Sequence, residues 1–234
     1  MSYIFCCGMS RSASTLQYEL IKEVVERKQL GLGFGFHYAH SRYNEEQISI
    51  IKTEKSDPWM LSELRSGNAH AVSIYRNPLD VAVSLHHFFH SRHLFNPFKY
   101  RDWTQQQTID EWLPRTMNWY TTWESVQHFQ LRYEDTHPDA WPSALEQMCN
   151  HFSISITPEE SISICNKFSL TRNLERIDKQ EEWLNNKSML TKEHISPRRG
   201  APGQYREHLT PAQMAHIRTV YRAWMITHNY ITKL

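Results

Sequence analysis

An apolar run from Tyr3 to Cys7 ends at Gly8 and passes into Met9-Ser-Arg-Ser-Ala-Ser-Thr15. Leu16, Leu20, Ile21, Val24 and Val25 then follow at helical spacing. No other feature constrains the fold as strongly. A short unbroken apolar stretch suits a strand buried on both faces, as in parallel sheets. Strand, small-residue loop and helix in that order also make a phosphate-binding layout. The helix start presents unpaired N–H groups and the positive end of its dipole to an anion.

The pattern recurs along the chain. Ile48 to Ile51 leads into Lys52-Thr53-Glu54, and Pro58 opens a helix. Ala71 to Tyr75 ends at Arg76, and Pro78 takes the first position of a helix carrying Leu79, Ala82, Val83 and Leu85. Trp103 to Val126 is aromatic-rich and mostly helical in pattern. Phe129 to Tyr133 reads as a further strand, and Pro138 as the start of a helix through Leu145 and Met148. Thr157-Pro158-Glu159-Glu160 and Thr210-Pro211 are helix starts, the second running through Ile217, Val220, Tyr221 and Trp224. Ser196 to Gln204 is a loop rich in Pro, Gly and Arg. Without repeats or a linker, residues 1–234 are expected to form a single α/β domain. It would be doubly wound around a central parallel sheet, with a P-loop-like layout.

Composition narrows the function. The net charge of +1 supplies no overall field toward nucleic acid or anionic lipid, so neither is an expected partner and any anion site must be local. No run approaches the ~18 apolar residues of a membrane span, and the N-terminus lacks a basic start before a long apolar stretch, so a cytoplasmic protein is expected. Cys6, Cys7, Cys149 and Cys165 form no C-x-x-C pair and read as buried thiols. His86, His87, His90 and His93 share one helix without a matching partner motif, so no metal is expected. They are expected to line a pocket with Phe88, Phe89, Phe95 and Phe98.

Three segments carry chemistry. In the first loop, Ser12, Ser14 and Thr15 add hydroxyl donors, Ala13 keeps the backbone accessible, and Arg11 adds a fixed charge. Counting from Gly8, the positions where a Walker A motif has Gly-Lys are Ala13-Ser14, which argues against a nucleotide triphosphatase. Arg76 lies at the C-terminal end of a strand, where open α/β sheets bind ligands, and Ser84 follows about two helical turns on. Asp80 between them reads as a capping or salt-bridge residue. Arg198-Arg199-Gly200 places two guanidinium forks beside a glycine that lets the backbone approach an anion.

These segments resemble the PAPS-dependent sulfotransferases, where PAPS is 3'-phosphoadenosine 5'-phosphosulfate. Gly8 to Leu16 resembles their 5'-phosphosulfate loop, and Arg76 to Ser84 their 3'-phosphate segment. Tyr133-Glu134-Asp135 is similar to their Tyr-Glu-Asp triplet. Arg198 to Gly203, followed by His208 to Gln213, resembles the loop and helix that close over the cofactor. The resemblance implies that Arg11, Ser14 and Thr15, with Ser12, Ala13 and Leu16 alongside, hold the 5'-phosphosulfate end. It further implies that Arg76, Ser84, Arg198, Arg199 and Gly200 hold the 3'-phosphate, and that Tyr133 and Phe168 contact the adenine. PAPS would be the co-substrate and PAP, 3'-phosphoadenosine 5'-phosphate, the product. A small-molecule hydroxyl or amine would be the acceptor.

Departures matter too. Cytosolic members carry Lys-Thr-His where this chain has Lys52-Thr53-Glu54, so Glu54 becomes the expected general base. Its reference pKa near ~4.3 requires burial or acceptor activation for efficient work. Asp57, His37 and His40 are the fallback bases. Arg11 replaces the usual loop lysine and would stabilise charge on the bridging oxygen, a role Lys52 can share, and Ser84 completes the expected catalytic set. Leu16 replaces an aromatic residue that often stacks on adenine. The segment from Arg206 to Ala215 matches the family's dimerisation segment only in part, so the sequence does not fix an oligomeric state. Two other readings stay open at this point: a P-loop small-molecule kinase, and a catalytically silent PAP-binding protein.

Overall fold

A computed structural model describes residues 1–36, 47–90, 102–126, 128–136, 139–178, 189–190 and 200–233. Its strands β1 (Tyr3–Gly8), β2 (Gly31–Phe36), β3 (Ile48–Lys52), β4 (Ala69–Tyr75) and β5 (Phe129–Arg132) form one five-stranded sheet in the order β2-β3-β1-β4-β5. Every pairing is parallel. The chain turns one way from β1 to reach β2 and β3, and the other way to reach β4 and β5. The switch point therefore falls at the C-terminal end of β1, where ligands of open α/β sheets bind.

Alternation along β1 covers both faces of the sheet. Ile4 and Cys6 enter a core with Leu20, Ile21 and Val24 of helix α1 (Ser14–Arg27) and with Leu145 and Met148 of the helix Trp141–His151. Phe5 and Cys7 point the other way, into a cluster with Ile51, Met60 and Trp123. A third cluster joins Leu79 and Val83 of α3 (Pro78–His90) to Leu113 and Met117, and to Ile217 and Met225 near the C-terminus. The fold class is thus the doubly wound α/β architecture expected from the sequence. Helix α2 (Pro58–Arg65) also begins where Pro58 places it.

Strand β2 was not foreseen, because Gly-Leu-Gly-Phe-Gly-Phe reads as a flexible loop. A Cβ on Gly31 would lie 1.9 Å from the Ile48 carbonyl oxygen, and one on Gly33 would lie 2.7 Å from both the Lys22 side chain and the Tyr18 hydroxyl. Glycine here lets an edge strand slide beneath α1. Other boundaries shift. The helix assigned to Pro138 begins at Trp141, with Pro142 in its first turn, and Pro138 lies outside the described residues. The last helix stops at Val220 and resumes over Arg222–Thr227, with Tyr221 between. The stretch expected to be mostly helical contains a π-helical turn, Thr108–Trp112, before the helix Leu113–Thr121. Among the described residues no helix is long and apolar enough to cross a membrane.

Candidate active site

Gly8 sets the geometry of the first loop. A Cβ there would meet the Ile74 carbonyl oxygen and the Ser14 Cβ, each at 2.9 Å, so only glycine lets β1, β4 and the start of α1 converge. Met9 N–H donates to the Ile74 carbonyl at 2.9 Å. The Ser12 hydroxyl, wholly buried, lies 2.5 Å from the Met9 carbonyl and 2.9 Å from that of Ile74. Ser12 therefore stiffens the loop from inside. Arg11 and Ala13 both adopt left-handed backbone, with φ of 68°. Among the described residues no side chain caps the start of α1, which leaves its first-turn N–H groups uncapped beside the buried Ser14 and Thr15.

Two arginines meet at this loop. Arg11 Nε donates to Ser84 Oγ at 3.2 Å, and its guanidinium lies 4.5 Å from the centre of the Phe88 ring. Arg76, only 5% exposed, stacks over the Tyr133 ring at 4.3 Å. Its Nη1 donates to the Arg11 carbonyl at 3.3 Å, and its Nη2 to the carbonyls of Gly200 and Ala201 at 3.2 and 3.4 Å. Tyr133 donates its hydroxyl to the same Gly200 carbonyl at 2.7 Å. Among the described residues, Arg76 Nε is buried with no hydrogen-bond partner, an orphaned donor of the kind an anion would satisfy. Gly200, at φ 71°, needs the left-handed region that glycine enters without strain.

Asp80 proves to be a brace. Buried on α3, it accepts the Gly203 N–H at 2.7 Å and the Tyr205 N–H at 3.1 Å, fixing the late loop against the helix after Arg76. This fits the capping role expected of it, although its partners lie more than a hundred residues away. Tyr133 and Phe168 share one buried cluster, against which Ala13 and Leu16 pack. Of these four, Tyr133 is the one whose ring lies against Arg76.

Lys52 ends β3, opposite Cys6 of β1, and Glu54 follows two residues on. Lys52 is 2% exposed, and its ammonium lies 4.3 Å from the centre of the Phe36 ring. Burial pushes its pKa down, the nearby Glu54 opposes the shift, and Arg11 adds to it. Glu54 is half-buried, and its backbone carbonyl accepts the Trp123 indole N–H at 3.3 Å. Asp57 precedes α2 without capping it through its side chain.

Arg198, Arg199, His37, His40, His93, Phe95 and Phe98 lie outside the described residues. On α3, His86 and His90 approach to 4.2 Å between ring centres, and burial, aided by His90, lowers the His86 pKa to about 4. Among the described residues no group of three or more His, Cys, Asp and Glu is arranged to hold a metal ion. Phe89, expected to line a pocket with the histidines, is among the buried residues of α3. It is 7% exposed and packs on Trp112 at 5.1 Å, because α3 turns that face toward the Leu113–Thr121 helix. Phe36 and Trp123 were not singled out from the sequence, and Glu134 only as a member of the Tyr-Glu-Asp triplet, since their contacts join distant segments.

Sheet order, loop, buried Arg76 and half-buried Arg11 together define a parallel α/β protein with an anion-suited crevice at the ends of β1 and β4. The sulfotransferase domain matches the chain over residues 7–228, and the chain belongs to that family. Among curated relatives, sulfotransferase 2A2 of Mus musculus is 24% identical over 171 residues, 68% of this chain and 58% of that protein. The 3-beta-hydroxysteroid sulfotransferase of Cavia porcellus is 24% identical over 166 residues, 68% of this chain and 57% of that protein. The chain thus spans less than two thirds of the length of these relatives. Among solved structures, mouse sulfotransferase SULT7A1 complexed with PAP matches with a TM-score of 0.69 at 17% identity, covering 96% of this chain and 84% of that one. Retinol dehydratase in complex with retinol and PAP gives 0.64 at 15% identity, covering 95% and 81%. At these identities the likeness speaks for the fold.

Proposed function

We propose that this chain, acting as one domain, is a PAPS-dependent sulfotransferase for a small-molecule hydroxyl or amine. The observation that carries the reading is Arg76: buried, stacked on Tyr133, adjoining the Arg11 loop, and with Nε unpartnered. An arginine so placed suits a ribose 3'-phosphate, while the uncapped start of α1 with Arg11, Ser14 and Thr15 suits the 5'-phosphosulfate. Tyr133, Phe168, Ala13 and Leu16 supply the adenine wall. Mouse SULT7A1 and retinol dehydratase were crystallised with PAP, and a second retinol dehydratase complex holds androsterone, which favours an alcohol acceptor.

In the transfer step the acceptor oxygen or nitrogen attacks sulfur in line. The bond between sulfur and the bridging oxygen of the 5'-phosphate breaks, and PAP leaves with that electron pair. Glu54 takes the acceptor proton, while Arg11, Lys52 and the α1 N-terminus receive the charge growing on the bridging oxygen. Arg11 is aimed for this by Ser84.

Calorimetric titration with PAP, adenosine 5'-phosphate and ATP–magnesium tests the reading. PAP should bind much more tightly than adenosine 5'-phosphate, and incubation with PAPS and an alcohol panel should release PAP. Preference for ATP–magnesium would move the chain to a kinase, and PAP binding without turnover to a silent binding protein.

A further inference from the structure

We infer that Tyr230, in the C-terminal segment, is a positioning residue for the 3'-phosphate site, acting through Glu134 on the peptide that follows Arg76. This rests on the reading of Arg76 as the 3'-phosphate ligand. Glu134 Oε1 accepts the Asn77 N–H at 2.9 Å, and Glu134 Oε2 accepts the Tyr230 hydroxyl at 2.7 Å. Arg132 Nε lies 3.5 Å from that same Oε2, and its guanidinium sits 4.6 Å from the centre of the Tyr230 ring.

The amide held by Glu134 is a decisive one. It belongs to the peptide joining Arg76 to Asn77, and Asn77 also opens α3, its side chain accepting the Leu79 N–H at 3.0 Å and its carbonyl the Val81 N–H at 3.0 Å. Fixing that peptide plane fixes both the direction in which Arg76 leaves β4 and the start of the helix carrying Asp80 and Ser84. A carboxylate with only one bond can swing about its side-chain torsions. Clamped on its second oxygen, it holds the amide in one place.

The clamp comes from the far end of the chain. Tyr230 stacks on Trp224 at 5.9 Å, and both rings meet the edge of Tyr75, the residue before Arg76, at 6.3 and 5.9 Å. Trp224 in turn stacks on His228 at 3.8 Å and donates its indole N–H to Glu124 Oε1 at 3.1 Å, with His228 Nε2 2.9 Å from the same oxygen. Burial, reinforced by the neighbouring Glu134, keeps the Tyr230 phenol protonated and therefore a donor. The aromatic packing sets the ring, and the hydroxyl, at 2.7 Å against 3.5 Å for Arg132, is the nearer of the two groups that hold Oε2.

The test compares PAP with adenosine 5'-phosphate, which lacks the 3'-phosphate, by calorimetry on the full chain. Tyr230→Phe keeps the packing and removes the hydroxyl. It should weaken PAP roughly tenfold, the scale of one hydrogen bond to a charged group, while changing adenosine 5'-phosphate less than about twofold. Glu134→Gln, whose carboxamide oxygen can still accept from Asn77, should retain most of the preference for PAP that Glu134→Ala loses. Unchanged PAP preference in Tyr230→Phe, or equal weakening of both nucleotides, overturns the inference and makes the tail merely structural. Wild-type protein and Arg76→Ala serve as controls. A wild type without PAP preference removes the Arg76 reading itself, whereas loss of preference only in Arg76→Ala leaves that reading standing and sinks the role of Tyr230.

Discussion

Arg76 is gripped by three backbone carbonyls and an aromatic face. Across the crevice, the hydrogen bond seen at Glu54 among the described residues is the one its backbone carbonyl accepts from the Trp123 indole. The cofactor end is built from long-range restraints: Asp80 to Gly203 and Tyr205, Glu134 to Asn77 and Tyr230, Tyr133 to Gly200. The transfer end consists of a buried ammonium over a ring and a half-exposed carboxylate. A nucleotide common to every turnover rewards a rigid receptor, because ordering is complete before binding. A proton acceptor must change charge within each cycle, and a carboxylate without fixed donors can do so at little cost. Under the proposed function, the contrast puts binding on one side and chemistry on the other.

Substitutions that separate binding from turnover sharpen this contrast, and the largest effect belongs to Glu54. Glu54→Gln should lower kcat by about 10²–10⁴-fold, the usual worth of a general base, and leave PAP affinity within about twofold. A mutant with near-native turnover would move the base to Asp57 or a histidine. Arg76→Ala should do the reverse. PAP affinity should fall roughly 10–100-fold, in line with a charge-assisted contact, with little loss for adenosine 5'-phosphate. If both substitutions damaged binding and turnover alike, the two ends would not be separate.

What was legible in the sequence follows the same division. The contiguous motifs, Gly8 to Leu16 and Arg76 to Ser84, announced themselves because backbone geometry and neighbouring side chains act within a single turn. Strand β2 was hidden, since its alternating glycines signal a loop unless one knows that α1 lies 2.7 Å from where a Cβ on Gly33 would be. The brace at Asp80 was legible in kind and not in partner. The Glu134 clamp was invisible, because nothing local to Tyr133-Glu134-Asp135 points to Tyr230. Burial of Lys52 was hidden as well. A lysine closing a strand normally reaches water, and only the packed sheet and the Phe36 ring show that this one does not.

Lys52 gives a prediction of intermediate size, in which stability and activity move in opposite directions. Its ammonium is desolvated, and no described carboxylate forms an ion pair with it within 4 Å, so it opposes folding. The sign follows from the lowered pKa. The native state holds the proton less tightly than the unfolded chain, so stability from this group falls as pH drops through the native value. Lys52→Met keeps the length and removes the charge. Thermal denaturation should show a Tm higher by a few degrees, at about 2–4 °C per kcal/mol for a chain of this size, while turnover with PAPS falls. A lower Tm would mean that the ammonium supports the fold, and the transfer end would then be more rigid than the comparison allows.

The smallest effect is expected at Ala13, and it probes where the rigidity of the cofactor end resides. Ala13 stands at the start of α1 with φ 68° and ψ 22°, in a region that costs an L-residue roughly 1–2 kcal/mol. Ala13→Gly relieves that strain. It also loosens the unfolded chain by about 0.4–1 kcal/mol and removes a methyl that packs against the Tyr133–Phe168 cluster, worth about 0.8 kcal/mol. These terms nearly cancel, so Tm should stay within about 3 °C of the wild type. PAP affinity should also stay within about twofold, because the carbonyls of Met9 and Ile74 still hold Ser12. An affinity loss beyond about fivefold would show that the loop takes its shape from the alanine, and that the anion site is stiffened by local strain more than by the restraints converging on it from β4, α3 and the C-terminal segment.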